Sequence, residues 1–405
     1  MMTQDEEPSI NQISFTWPKG FYNDGIKIGL GTVDKKDFGY LFSQVPAAAA
    51  GTYTTNKFQA APTKLTKDTI NIDHKLQAVI VNSAIANSCT GAQGTKDALT
   101  EQQWLADALN IDTNLVGVAS TGLIGAYLDM DKIKAGLPKL QPKTGDDVSQ
   151  AVLTTDKQPK QACVQVELDG KTVTITGFAK GSGMIHPKMA TMLGFVTTDA
   201  AVDGDLLQET LSAGVDTTFN QITVDGDTST NDMVVVLANG MAQNTEIKNA
   251  ADTDYDTFAA GLKFVLGELA KQIAADGEGA TKLIETNVTE ALNSTEAQSV
   301  AKAVVGSSLV KAAIFGDDPN WGRIIAAIGM VDAHMDVDHV AISANGIPLV
   351  KDSVALPFDE AMVSESMKAA KVTIDVSLNS GTAVGQAWGC DLTYNYVKIN
   401  ASYHT

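Results

Sequence analysis

The segment KGSGMIHPKMATML, Lys180 to Leu193, places a lysine and two glycines ahead of a threonine set between two methionines. A threonine hydroxyl is almost un-ionised at neutral pH and becomes a useful nucleophile only beside a base. One such base is the threonine's own α-amino group, whose ordinary pKa of about 7.7–8.0 lies close to working pH. Thr191 is internal, so this chemistry requires the chain to break between Ala190 and Thr191. The turn Lys180-Gly181-Ser182-Gly183 and the small Ala190 would let Thr191 Oγ approach the preceding carbonyl. Read in isolation, a buried threonine is usually an ordinary core residue, and the spacing alone does not overturn that reading.

Other chemistries fit this chain less well. A Walker loop needs a lysine directly before Ser or Thr at a helix start, whereas Lys180 precedes Gly181; a GxGxxG dinucleotide turn is absent. No metal site is expected. His334 and His339 are five apart where helical zinc pairs need a spacing of four, and His186 stands alone before a proline. Asp225, Asp227 and Asp232 have a calcium-loop flavour, but the glycine and distal glutamate of an EF-hand are misplaced, so they read as turn formers.

These residues need a scaffold, and 405 residues allow two or three lobes with a generous core. Hydrophobic residues make up 44% and charged residues 19%, an ordinary globular balance. The net charge of −19 disfavours nucleic acid and anionic membranes as partners. The acidic MMTQDEEPSI start has no apolar signal core, and no run of ~18 apolar residues occurs. Three cysteines without CxxC spacing point to a reducing compartment, with the cytoplasm as the default.

Strand-like and helical patterns alternate, giving a mixed α/β layered protein. Ala78–Ala84, Thr172–Ala179 and Met233–Gly240 read as strands. Leu206, Leu207, Leu211, Val215 and Phe219 form one helical stripe, and Phe258, Leu262, Val265, Leu266, Leu269 and Ile273 form another that stops at Asp276-Gly277. VTIDVSL and LTYNYVKIN near the end alternate like strands, which would tie the C-terminus into a sheet. Linkers are expected at Gln141–Gln150 and around Glu285–Glu296.

KGSGMIHPKMATML resembles the cleavage signature of the glutamate N-acetyltransferase, or ornithine acetyltransferase (ArgJ), family. The resemblance runs the length of the chain. It continues through PKGF (Pro18–Phe21), TTNKFQAAP (Thr54–Pro62), NSAIANSCTGAQG (Asn82–Gly94), ASTGLIG (Ala119–Gly125) and TTDKQPK (Thr154–Lys160). DGDTSTND (Asp225–Asp232), DGEGATK (Asp276–Lys282), FGDDPNWGRI (Phe315–Ile324) and YVKINASYHT (Tyr396–Thr405) follow in family order. Asp317 stands where a small or basic residue is expected, and the first asparagine block reads Asn82-Ser83-Ala84-Ile85-Ala86-Asn87.

The resemblance implies self-cleavage into an α chain (1–190) and a β chain (191–405), with a C-terminal lobe over about 285–405. It implies a DmpA/ArgJ-like layered α/β/β/α sandwich with a smaller C-terminal α+β lobe, assembled as α2β2. Thr191 maps to the nucleophile, Thr121 and Gly122 to the oxyanion hole, and Thr154, Lys180, Thr191, Glu278, Asn400 and Thr405 to substrate contacts. The implied reaction moves acetyl from N2-acetylornithine to glutamate through acetyl-Thr191, with no cofactor. The sequence leaves acetyl-CoA open as a second donor. It also leaves open an amidase or aminopeptidase on the same fold, and a binding module that has lost cleavage.

Overall fold

The computed structural model describes residues 9–186 and 192–402. Ala190, Thr191 and Thr405 therefore lie outside the described residues. The chain is a mixed α/β protein with two sheets, as expected.

Among the described residues, the first sheet has nine strands. Across it run Asn11–Gln12, Lys160–Leu168, Lys171–Lys180, Leu193–Thr198, Met233–Ala238, Phe38–Tyr53, Lys75–Asn82 and Val116–Ser120. Phe21–Ile26 pairs with the first half of Phe38–Tyr53. Strands Leu193–Thr198 and Met233–Ala238 are parallel, buried at every position and built of Val, Leu, Phe, Met, Thr, Ala and Gly, the composition of strands covered on both faces. One face packs on helices Gly204–Asp216 and Tyr255–Ala275, whose Leu206, Leu211, Val215, Phe258, Leu262 and Leu269 are the two expected stripes. On the other face, the sheet's own Phe21, Phe178 and Phe195 join one buried cluster with Trp17, Val148 and Val152.

The second sheet has seven strands, with Leu283–Ala291 between the parallel Lys371–Ser377 and the antiparallel Ala383–Cys390. Helices Ser294–Gly306, Ser308–Phe315 and Trp321–Ile328 bury Val300, Val304, Ile314 and Ile324 against it. The two-residue strand Ile222–Thr223 adds to its edge, so the chain on the N-terminal side of this lobe is also hydrogen-bonded into it.

Three local readings are corrected. Residues 285–296 are no linker: they hold most of strand Leu283–Ala291 and the start of helix Ser294–Gly306. Their alternating polar residues have cross-strand partners, such as Asn287 with Asp375 and Glu285 with Trp388. The second expected linker, 141–150, is tied down at its carbonyls. Gly145 O accepts from Trp17 Nε1 at 2.6 Å and Asn23 Nδ2 at 2.7 Å, and the helix Asp147–Ala151 follows. LTYNYVKIN is helical over Tyr394–Asn400, with Thr393 capping the N–H of Asn395. Tyr396 and Ile399 turn inward with helical spacing, so the tail is not tied into a sheet.

Candidate active site

Strand Lys171–Lys180 ends at Lys180, whose side chain is only 9% exposed. Its ammonium reaches Thr121 Oγ1 at 3.4 Å. Thr121 follows strand Val116–Ser120, and its N–H donates to Asn82 O at the end of the neighbouring strand. Gly122 comes next with φ +131°, and a Cβ there would lie 2.1 Å from the carbonyl carbon of Ala84. Only glycine fits so close to another backbone at that φ. Asn231 locks the arrangement by donating to Ala86 O at 2.5 Å and Ser120 O at 2.8 Å.

The turn after Lys180 supplies the next wall. Asp225 accepts the N–H groups of Met184 and Ile185 at 2.7 and 2.9 Å. Burial nevertheless raises the Asp225 carboxyl above its ordinary value. Gly183 lets a carboxylate lie flat against this turn, since a Cβ would sit 2.5 Å from the Glu278 carboxyl carbon. Glu278, 8% exposed, accepts from Thr155 Oγ1 at 2.7 Å and from Asn400 Nδ2 at 2.8 Å. Its backbone N–H donates to Ser182 O at 2.8 Å. The final helix thus brings Asn400 in from the far end of the chain. It also brings Tyr396, whose hydroxyl donates to Asp225; burial and the Asp225 charge hold it above the usual tyrosine range.

These groups enclose a cavity of about 240 Å³ lined by Thr121, Gly122, Thr154, Lys180, Glu278 and Asn400, with Thr155, Asp225, Asp227 and Tyr396 among its other walls. The volume falls below the ~300–1,000 Å³ usual for drug-sized ligands and suits an amino acid derivative. Three carboxylates and one ammonium line it, so the cavity can pair with a cation and an anion together.

Every expected site position within the described residues lies on this cavity. Thr191 and Thr405 lie outside the described residues, but Met192 O accepts from Met233 N at 2.9 Å, which fixes the chain just after position 191. Thr155, Asp156, Asp225 and Tyr396 were not expected here as ligand-facing or supporting groups. The readable trace was the four-residue spacing of Asp156 and Lys160, which form an ion pair at 2.5 Å. Of the aspartates read as turn formers, Asp225 lies in a bend and accepts the N–H of Asp227 at 3.3 Å, whereas Asp227 and Asp232 lie in irregular chain, Asp232 directly before strand Met233–Ala238. Asp232 is buried, with Oδ2 unpartnered among the described residues, and burial keeps its carboxyl well above the ordinary range. Among those residues, no group of three His, Cys, Asp or Glu side chains is arranged to hold a metal. No helix among them is long and apolar enough to cross a membrane.

Comparison with known proteins agrees over the whole length. The chain is 67% identical over 393 residues to the arginine biosynthesis bifunctional protein ArgJ of Lactiplantibacillus plantarum, covering 97% of each. It is 54% identical to the protein of that name from Streptococcus mutans, over 96% of this chain and 98% of the relative. The crystal structure of arginine biosynthesis bifunctional protein argJ from Bacillus halodurans matches with a TM-score of 0.52 and 52% identity, covering 53% of this chain and 100% of the solved one. The ArgJ family profile matches residues 22–405, and with that agreement in sequence the chain belongs to the ArgJ family.

Proposed function

We propose that the protein is a self-cleaving acetyltransferase that moves the acetyl group of N2-acetylornithine to glutamate in arginine biosynthesis. One observation carries the reading: a single amino-acid-sized cavity holds Lys180 beside Thr121 and Gly122 together with the buried Glu278. N-acetylornithine carries a carboxylate for Lys180, a side-chain ammonium for Glu278 and an acetamide for a nucleophile. Cleavage between Ala190 and Thr191 would free the Thr191 amine to take the hydroxyl proton as Oγ attacks the acetamide carbonyl. The resulting oxyanion would accept from the Thr121 hydroxyl and the Gly122 N–H, and one such donor is worth about 2.7–4 kcal/mol. Collapse breaks the C–N bond, leaves acetyl-Thr191 and releases ornithine. The amine of glutamate then takes the acetyl group and restores the threonine. Asn400 and Thr405 complete the substrate contacts, with Thr154.

Scission would give chains 1–190 and 191–405. Strand Leu193–Thr198 lies between Lys171–Lys180 and Met233–Ala238, so both chains would share one sheet. The solved Bacillus halodurans chain is matched in full by 53% of this chain, the same share that residues 191–405 make up of 405. We assign the assembly as α2β2 and the compartment as the cytoplasm, a placement supported by free cysteines at 89, 163 and 390. The bifunctional naming of the relatives supports acetyl-CoA as a second donor to glutamate.

The test is a denaturing gel with an acetyl-transfer assay. Scaling 42.6 kDa by chain length gives pieces of about 20 and about 23 kDa. Thr191→Ala should stay full-length and inactive; an active, uncleaved Thr191→Ala protein would exclude the nucleophile. Release of free acetate in place of acetylglutamate, with glutamate present, would point to an amidase. A single intact wild-type band without activity would point to a binding module.

A further inference from the structure

Asp156 is not among the residues that line the cavity, yet its bonds lead to three of the groups assigned to substrate. Its side chain is shielded from solvent. Oδ2 accepts the N–H of Thr154 at 3.0 Å. Oδ1 accepts the N–H of Gly181, next to Lys180, at 2.7 Å and the Lys160 ammonium at 2.5 Å. Lys160, 1% exposed, also donates to Asp276 at 2.6 Å, two residues before Glu278. Asp276 in turn accepts the N–H of Lys157 at 3.0 Å. One buried ion triplet therefore touches the chain within two residues of Thr154, of Lys180 and of Glu278.

Burial opposes charge on Asp156, but the fields of Lys180 and Lys160 and the hydrogen bonds from Lys160 and Thr154 outweigh it. They hold the carboxyl well below the ordinary range. Lys35 lies nearby: burial, with the Lys180 charge, holds its ammonium below the ordinary lysine range against the opposing pull of Asp156 and Asp37. Its ammonium donates to the carbonyls of Leu153 and Thr154, each at 2.7 Å. Buried ion groups add little stability, because desolvation cancels most of the attraction. What a satisfied buried network supplies is fixed geometry.

We propose that Asp156 is a positioning residue of the acyl-transfer site. Paired with Lys160 and accepting the N–H groups of Thr154 and Gly181, it holds the Thr154 loop and the Lys180 turn against the Glu278 loop. The proposal rests on the acyl-transfer reading above.

The experiment measures kcat and KM for N-acetylornithine across neutral and alkaline pH, at saturating glutamate, with full-length wild type, Asp156→Asn, Asp156→Glu and Lys35→Met. Thermal midpoints are recorded alongside. Asp156→Asn should raise KM by about ten- to hundredfold, the scale of a small misplacement of substrate-holding groups. Asp156→Glu, which restores the anion, should recover part of that KM loss. Lys35→Met removes the ammonium held on the Leu153 and Thr154 carbonyls and should raise KM by loosening the same loop. Wild-type KM in Asp156→Asn would overturn the role. So would a loss in kcat alone, equal at every pH and matched by a fall in thermal midpoint. If Asp156→Asn does not accumulate as folded protein, a wild-type KM in both Asp156→Glu and Lys35→Met overturns it. A wild type that transfers no acetyl group overturns the activity reading as well, whereas a transferring wild type with unmoved variants overturns the positioning role alone.

Discussion

Glu278 shows how one carboxylate is prepared for a cation. Both its oxygens already accept a hydrogen bond, from Thr155 and Asn400, so the group is oriented before a ligand arrives. Glu278→Gln keeps the shape and removes the charge. The N-acetylornithine half-reaction should weaken by about 1.5–3 kcal/mol, the range for a hydrogen bond to a charged group. Chain cleavage should be unchanged. Single-turnover acetylation of Thr191, followed by mass spectrometry, measures the first effect, and wild-type rate and affinity would end the ammonium-partner role. The expected site residues that the structure brings to the cavity, Thr121, Gly122, Thr154, Lys180, Glu278 and Asn400, were legible in the sequence because each sits in a family block. Their supports were not. Thr155 and Glu278 are 123 residues apart and Lys160 and Asp276 are 116 apart, so only the folded sheet brings those pairs together.

Helix Gly91–Leu109 carries an element-scale liability, because Glu101 on it is 1% exposed and Oε2 has no partner among the described residues. Burial, with the Asp97 charge one turn earlier, pushes its carboxyl up from 4.5 to about 8. The folded state therefore binds this proton more tightly than the unfolded state does. The linked stability is fully present below pH 4.5 and is lost as pH rises to about 8, an effect on the order of a few kcal/mol. Glu101→Gln should flatten that loss, so that denaturant melts of the variant and wild type diverge most at pH 8 and above. A parallel pH dependence in both would show that Glu101 is ionised when folded. Elements with a strong period were readable in the sequence: the stripes of Gly204–Asp216 and Tyr255–Ala275 and the all-apolar Met233–Ala238. The terminal helix was misread because seven residues are too few to separate a period of two from one of 3.6, and it is Tyr396 and Asn400 on it that meet the cavity. The expected linkers failed for a related reason, since several of their polar groups are bonded within the fold, as Gly145 O is to Trp17 and Asn23 and Glu285 is to Trp388. Asp317, out of family pattern, has φ +55° and pairs with Lys282, a backbone position that Asp tolerates better than most residues.

At the scale of the molecule, the first sheet draws strands from both sides of the expected scission. Leu193–Thr198 pairs with Lys171–Lys180 along six residues, and Met233–Ala238 pairs with Phe38–Tyr53 along six more. The second sheet takes its strands from the C-terminal side alone. Cutting the expected bond would remove no ladder hydrogen bond between these strands. It would change the route back from denaturation. An intact chain refolds as a first-order process, while a cut chain must first find its other half. The mature protein should therefore regain activity with a yield that falls on dilution, whereas the fold of Thr191→Ala should return at a rate independent of concentration. Each half also carries the unpaired edges of a sheet interrupted at its centre, which invites self-association on the way back. Maturation at Thr191 would thus act as a one-way valve on folding: the covalent link is needed once, to make the search intramolecular, and is surrendered when the search is over.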